Sequence, residues 1–385
     1  MERPLRVLLA TPAYWPAHAF GGPVVVAREL VSRLVERGHD VEVVTTTLVD
    51  VGERPSRRTR FETVDGARVT YLGTPLRYRW MGITPTLPLT LRKLGRPDVA
   101  HVMGFRDPVT TGVAAWCRAR GVPYVFEPVG MFRPRLRKVR LKRVVDSTLA
   151  RGVAAGASLV VVSAPPERAD VVAGGVDPAR VRLRANGFPE PPPAGDRDPL
   201  AGVVPEDSPV VLYVGRIAAE KGVEHLLDAA RRLPDIHVVL AGPDDRHGTL
   251  TAVRAAQSDP RTAARVHLLP ATPGPPFDLY RRADVFVLAS GGENFGLVAA
   301  EAASVGTAVV VSDRTGVAAS FEDGEALVVP YDAEATVEAI GRVLRDPALR
   351  AVLEQGALRA ARRSTWDAVV DVQLRIYEEA LSGEG

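Results

Sequence analysis

Cysteine is almost missing from this chain. Cys117 stands alone, so no disulfide can form within the molecule, and a reducing compartment suits it. Lysine is nearly as scarce: Lys93, Lys138, Lys142 and Lys221 are the whole set within 49 basic residues. Arginine is the default cation, and each lysine marks a position to read closely. Nowhere do about eighteen apolar residues run together, the length a membrane-spanning helix requires. The apolar run near the amino terminus is too short for a signal peptide. The expectation is a cytoplasmic protein, soluble or attached peripherally at the inner membrane face. A net charge of +3 is too small to demand a nucleic-acid partner. Neither G-x-G-x-x-G nor G-x-x-x-x-G-K-[ST] occurs, which argues against a dehydrogenase and a P-loop NTPase. Cysteine and histidine show no metal-ligand spacing. Asp196-Arg197-Asp198 has a D-x-D pattern but lies among prolines, and we set it aside; no metal site is expected.

What the chain does contain is a regular rhythm. Short β-branched runs alternate with helical patterns: 5–11, 41–47, 67–72, 98–103, 122–127 and 158–163 read as strands, the sign of a parallel sheet with crossover helices. At 188–209 the sequence FPEPPPAGDRDPLAGVVPEDSP excludes helix interiors and central strands. The rhythm then restarts with strands at 210–214, 236–241, 265–269, 284–289, 307–312 and 326–330. With 385 residues, two domains are the natural prior. The expected organisation is an α/β fold of two Rossmann-like, doubly wound domains facing each other across a cleft: 1–187, a proline-rich linker 188–209, 210–363, and a carboxyl-terminal helix 364–385 that crosses back to the first domain.

Three segments carry chemistry, each between a strand and a helix. The first is Gly291-Gly292-Glu293-Asn294-Phe295-Gly296-Leu297-Val298-Ala299-Ala300-Glu301. Free backbone N–H groups at such a helix start, with the positive end of the helix dipole, suit a phosphate. Glu301 falls on the same helix face as Asn294 and Leu297, and a carboxylate close to phosphates suits a ribose diol. Glu293 stands ahead of the helix, where it can grip sugar hydroxyls; the plainer alternative is an acid that caps the helix. The second is Gly215-Arg216-Ile217-Ala218-Ala219-Glu220-Lys221-Gly222, in which Arg216 as a fork and Lys221 as a point charge would clamp a diphosphate. Alone it reads equally as a solvated loop. The third runs from Thr11 to Pro23 and holds Gly21-Gly22, a pair that permits close backbone approach to a ligand.

These residues resemble glycosyltransferase family 4, retaining enzymes of the GT-B fold whose two glutamates stand as Glu293 and Glu301 do. The likeness covers nearly the whole chain and rests on Gly21-Gly22, RGHDVEVVTT, Asn186-Gly187, the run at 215–222 and ENFGLVAAE. It implies that Arg216 and Lys221 hold the donor diphosphate and Glu301 the ribose. It further implies that Glu293, with the backbone of Asn294 to Gly296, holds the transferred sugar, and that Gly22 approaches the distal phosphate. The donor is then a nucleoside diphosphate sugar, UDP or GDP first, with no cofactor besides. The leaving diphosphate accepts the acceptor's proton.

One departure bears on the acceptor side. Relatives carry a histidine in a P-H-G segment where this chain has Glu127-Pro128-Val129-Gly130-Met131, and Val129 cannot do that histidine's work. Glu127 either takes a neighbouring catalytic role or is a structural carboxylate. His101, at a strand end, reads as packed rather than catalytic. After this segment, 131–143 packs seven cations without an acid, among them Arg137, Lys138, Lys142 and Arg143. That surface suits an anionic bilayer or a phosphorylated acceptor, with a solvated basic helix as the plain alternative. A glycan or lipid-linked acceptor is expected. The competing readings are a nucleotide-sugar epimerase of the same fold and a catalytically silent nucleotide-sugar-binding subunit.

Overall fold

The computed structural model describes residues 3–50, 52–78, 80–132, 151–244, 248–272 and 274–383. The chain forms two compact units, Met1–Ala185 with Trp366–Gly385, and Asn186–Thr365. The basic residues Arg137, Lys138, Lys142 and Arg143 lie outside the described residues.

Among the described residues, the first unit is built on ten strands: β1 (Arg6–Ala10), β2 (Asp40–Thr46), β3 (Arg60–Val64), β4 (Ala67–Leu72), β5 (Leu76–Tyr78), β6 (Met81–Ile83), β7 (Val99–Met103), β8 (Tyr124–Glu127), β9 (Leu159–Val162) and β10 (Val181–Leu183). Eight of them form one sheet in the order β10-β9-β8-β7-β1-β2-β4-β3, and β5 pairs with β6 in a hairpin. Every pairing in the large sheet is parallel except β3 with β4. The near-continuous apolar runs follow from this, because β7, β8 and β9 are buried along their whole length, as strands covered on both faces must be. The sequence reading missed β3, β5, β6 and β10. β3 is largely exposed, so no core selects an apolar pattern there, and β5, β6 and β10 are three residues each, too short to show an alternation.

The first crossover helix, Gly22–Glu36, has Pro23 in its opening turn, a position where the missing N–H costs nothing. Ala27, Leu30, Val31 and Leu34 are buried at the spacing of one helical face. The helix Trp366–Ser382 belongs to this unit as well. Asp367 accepts from Arg33 at 3.2 Å and Asp371 from Arg37 at 2.6 Å, while Glu379 pairs with Arg182. Its buried face carries Trp366, Val370, Gln373 and Tyr377.

Among the described residues, the second unit has six parallel strands: β11 (Val210–Val214), β12 (His237–Ala241), β13 (Val266–Leu269), β14 (Val285–Leu288), β15 (Val309–Ser312) and β16 (Leu327–Val329), in the order β13-β12-β11-β14-β15-β16. Strand order therefore reverses between β11 and β14, and in such sheets a ligand crevice opens at the carboxyl ends of that strand pair. The proline-rich stretch 188–209 lies against this unit. Phe188 donates its N–H to Ser364 at 2.7 Å, Gly195 donates to Asp278 at 3.2 Å, Asp198 pairs with Arg282 at 3.6 Å, and Leu200 is buried.

Candidate functional site

Three loops at the carboxyl ends of β11, β14 and β15 are knitted together by backbone hydrogen bonds. The carbonyl of Glu220 accepts from the Gly291 N–H at 2.8 Å and from the Ser290 hydroxyl at 3.1 Å. Glu293 donates its N–H to Arg314, its carbonyl accepts from Gly316, and Val317 donates to the Phe295 carbonyl at 2.7 Å. Only glycine fits where the first two loops touch. Gly222 has φ +67°, and a Cβ there would lie 1.8 Å from the Ala289 carbonyl oxygen.

This knitting sets Lys221 against Glu293, whose Oε2 accepts from the lysine ammonium. The two side chains keep 14% and 23% of their surface exposed, so both ends of the pair remain reachable by a ligand. An ammonium has three donors; after one goes to Glu293, two remain for phosphate oxygens. Arg216 extends to solvent and sits 3.6 Å from Glu220. Its backbone is held from behind, where the Tyr213 hydroxyl donates to the Arg216 carbonyl at 2.7 Å. Gly215 precedes it with φ +146°.

The helix Leu297–Ser304 begins directly after this loop. Its N-cap is Gly296 at φ +107°, with no side-chain cap, so the first-turn amides around Leu297 and Val298 are left as donors. Phe295 is buried and pins the loop to the core, whereas Asn294, Leu297 and Val298 are partly exposed. Glu301 lies one further turn along. The Tyr280 hydroxyl donates to its Oε2 at 2.7 Å. Burial pushes the Glu301 carboxyl up to about 7, opposed only by that hydrogen bond. Of the donor-side residues named from the sequence, Gly215, Arg216, Lys221, Glu293, Asn294, Phe295, Gly296, Leu297, Val298 and Glu301 thus all lie in the second unit, on the loops and the helix at the β11–β14 crevice.

Gly21 and Gly22 belong to the first unit, where Gly21 (φ +70°) precedes the helix Gly22–Glu36 after β1. Glu127 ends β8 and is 1% exposed. One of its oxygens accepts from Arg184 at 2.6 Å and the other lies 3.0 Å from His101 Nε2. Burial would raise this carboxyl; the Arg184 charge and the His101 contact instead hold it below the usual range. His101 Nδ1 in turn lies 2.8 Å from the Tyr377 oxygen. Val129 follows in a left-handed conformation, φ +51°. A cavity of about 610 Å³ lies elsewhere in the first unit, bordered by Glu42, Phe61, Arg68 and Leu89, and takes in none of the residues predicted from the sequence. Among the described residues, no group of three or more His, Cys, Asp and Glu side chains could hold a metal ion, and no helix is long and apolar enough to cross a membrane.

Sequence reading missed Tyr280, Tyr213 and Arg184. Tyr280 and Arg184 reach partners 21 and 57 positions away, beyond any local motif, whereas Tyr213 bonds Arg216 three positions on, and its place directly ahead of the Gly215–Gly222 run is the signal that could have found it.

Residues 21–187 match the glycosyl transferase 4-like domain, and residues 197–359 match glycosyl transferases group 1. With two Rossmann-like units and the β11–β14 site, they define the class: the chain belongs to the GT-B glycosyltransferases of the group 1 and family-4-like type. Its relatives include the D-inositol 3-phosphate glycosyltransferase of Acidothermus cellulolyticus, 37% identical over 194 residues that cover 46% of this chain and 43% of that protein. The matched stretches span about half the length of the curated relatives. Among solved structures, sucrose-phosphate synthase from Thermosynechococcus elongatus superposes with a TM-score of 0.77 at 24% identity, over 97% of this chain and 98% of that one. Anabaena HepE, solved in complex with UDP-glucose, gives 0.71 at 17% identity, over 97% and 98%. At these identities the likeness is one of fold.

Proposed function

We propose that this chain transfers a hexose from a nucleoside diphosphate sugar to a hydroxyl acceptor, with retention at the anomeric carbon. The observation that carries the reading is the Lys221–Glu293 pair set at the β11–β14 crevice beside an uncapped helix start. Lys221, Arg216 and the first-turn amides of helix Leu297–Ser304 stabilise charge on the departing diphosphate, a type of help worth about 3 kcal/mol for each well-placed donor. Glu293 and the backbone from Asn294 to Gly296 bind the sugar, and Glu301 the ribose hydroxyls. By the family likeness, Gly22 approaches the distal phosphate. Retention rests on the family likeness. A front-side route, in which the leaving phosphate takes the acceptor's proton, fits a chain with Val129 where relatives carry histidine. Glu127, fully engaged by Arg184 and His101, shapes the Pro128–Met131 turn rather than touching the sugar.

UDP is the first donor base to test, since Anabaena HepE was solved with UDP-glucose, and GDP the second. The acceptor is a glycan, a lipid-linked intermediate or a phosphorylated polyol. The last is suggested by the relatives named for D-inositol 3-phosphate. The basic residues Arg137, Lys138, Lys142 and Arg143 supply the phosphate or anionic-bilayer contact at the cytoplasmic face. Incubation with radiolabelled UDP- and GDP-sugars, with and without acceptors of these classes, tests the reading. Transfer with α-retention is expected. Conversion of the donor to its epimer without an acceptor would point to an epimerase, and nucleotide binding without transfer or slow donor hydrolysis to a silent binding subunit.

A further inference from the structure

The carboxyl of Glu301 has an unusual setting. It stands on helix Leu297–Ser304, whose neighbours Ala299, Ala300, Ala302 and Ala303 are buried and apolar, and among the described residues no cation pairs with it. Its protein hydrogen bond is to the hydroxyl of Tyr280, at 2.7 Å to Oε2. Oε1 makes none among the described residues. Tyr280 is itself buried in the helix Phe277–Arg282, held edge-on against Phe286 at 5.5 Å between ring centroids, while its carbonyl accepts from the Thr307 hydroxyl at 2.7 Å. Its position is therefore set by the core and not by the carboxyl it holds.

We propose that Tyr280 is a positioning residue that makes the site selective for ribonucleotides: by holding Oε2 of Glu301, its hydroxyl fixes the carboxyl so that Oε1, which has no protein partner among the described residues, is presented to the 2′- and 3′-hydroxyls of the donor. This rests on the reading of Glu301 as the ribose contact. An acid with two free oxygens on a rotating carboxyl would accept from hydroxyls in several orientations. One oxygen anchored to a core tyrosine fixes the carboxyl plane, so a diol at one place meets an acceptor at one place. Tyr280 also sets the protonation of the carboxyl, because an O–H donor favours the charged form. Burial alone presses Glu301 toward neutrality, to about 7 with the tyrosine present. Among the described residues, arginines on the helices packed against its own helix are paired elsewhere. Arg281 pairs with Asp278, Arg282 with Asp198, and Arg350 with Asp284, and Tyr213 lies beyond Tyr280. Diol hydroxyls donate best to a carboxylate, so the preference for ribose grows as the pH rises through neutrality.

The test uses the full chain with UDP, GDP and ADP and their 2′-deoxy counterparts, titrated calorimetrically into the parent, Tyr280→Phe and Glu301→Gln. The parent is expected to favour the ribo form roughly tenfold, as for a hydrogen bond to a charged group, and more strongly at about pH 8 than at about pH 6. Tyr280→Phe keeps the ring packing, should lose most of that preference, and should move the pH midpoint of ribonucleotide binding upward. If Glu301→Gln abolishes the preference while Tyr280→Phe retains both ratio and midpoint, the positioning role is overturned and the ribose reading stands. If Glu301→Gln keeps the full ribo preference, or none of the nucleotides binds, the ribose reading itself falls. The parent alone gives a second readout that needs no variant: a ribo-to-deoxy ratio unchanged between about pH 6 and about pH 8 overturns the proposal.

Discussion

The ammonium of Lys221 donates to the carboxylate of Glu293 across 72 positions of sequence, joining the loop after β11 to the loop after β14. The pair is only partly exposed, so each charge depends on the other for much of its solvation. Lys221→Ala should weaken binding of the nucleoside diphosphate sugar by about 1.5–3 kcal/mol, the range for a hydrogen bond to a charged group. Glu293→Ala should weaken binding of the sugar nucleotide more than of the bare diphosphate. In a double-mutant cycle the two losses should be non-additive; titration of the four proteins checks this, and strict additivity would separate the two roles.

Gly222→Ala should cost stability and ligand binding together. Its Cβ would lie 1.8 Å from the Ala289 carbonyl oxygen, at φ +67°, so the Lys221 loop must part from the Ser290 loop. A loss of at least about 2 kcal/mol in urea denaturation is expected, the scale of strained backbone plus lost loop contacts. A variant as stable as the parent would mean that the loop contact is not held in solution.

Glu301 confers a pH dependence on folding whose sign follows from its burial. Its carboxyl holds its proton up to about 7, against an ordinary 4.5. Between those values the folded protein binds a proton that the unfolded chain has released. The contribution of this group therefore favours folding less as the pH rises from about 4.5 to about 7, by at most about 1.4 kcal/mol per pH unit. Glu301→Gln lacks this proton. Its melting temperature should gain on that of the parent across this window and run parallel to it above about pH 7.5; parallel curves throughout would show that Glu301 titrates normally.

Arg184→Met should strand the buried Glu127 carboxylate. Arg184 and Glu127 are both about 1% exposed, and removal of one partner from such a pair costs about 3–5 kcal/mol. The loss should appear as an early unfolding transition of the first unit. Nucleotide affinity, which the proposed function assigns chiefly to residues of the second unit, should be largely unchanged where that unit remains folded. Equal loss of affinity would place Glu127 in the binding machinery.

Much of this molecule was legible from residue order alone. β1, β2, β4, β7, β8 and β9 and the six strands of the second sheet fall on the runs read from the sequence; β7, β8, β9, β12, β14 and β15 were the plainest, because strands buried along their whole length leave little room for polar residues. The strand-loop-helix segments around Gly215–Gly222 and Gly291–Glu301 were equally legible, since glycine and charge at a strand's end have few other uses. What residue order could not supply is pairing across long separations. Lys221 with Glu293, Tyr280 with Glu301, and Glu127 with Arg184 and His101 join residues 21 to 72 positions apart, brought together by strand order and layer packing. The same holds for Glu127, whose chemistry was left open by a sequence that shows a carboxylate and not its burial. Composition and local pattern determined the fold class and the segments proposed to bind the ligand; only the tertiary structure decided which charges neutralise one another, because that depends on distance and dielectric, which a sequence does not contain.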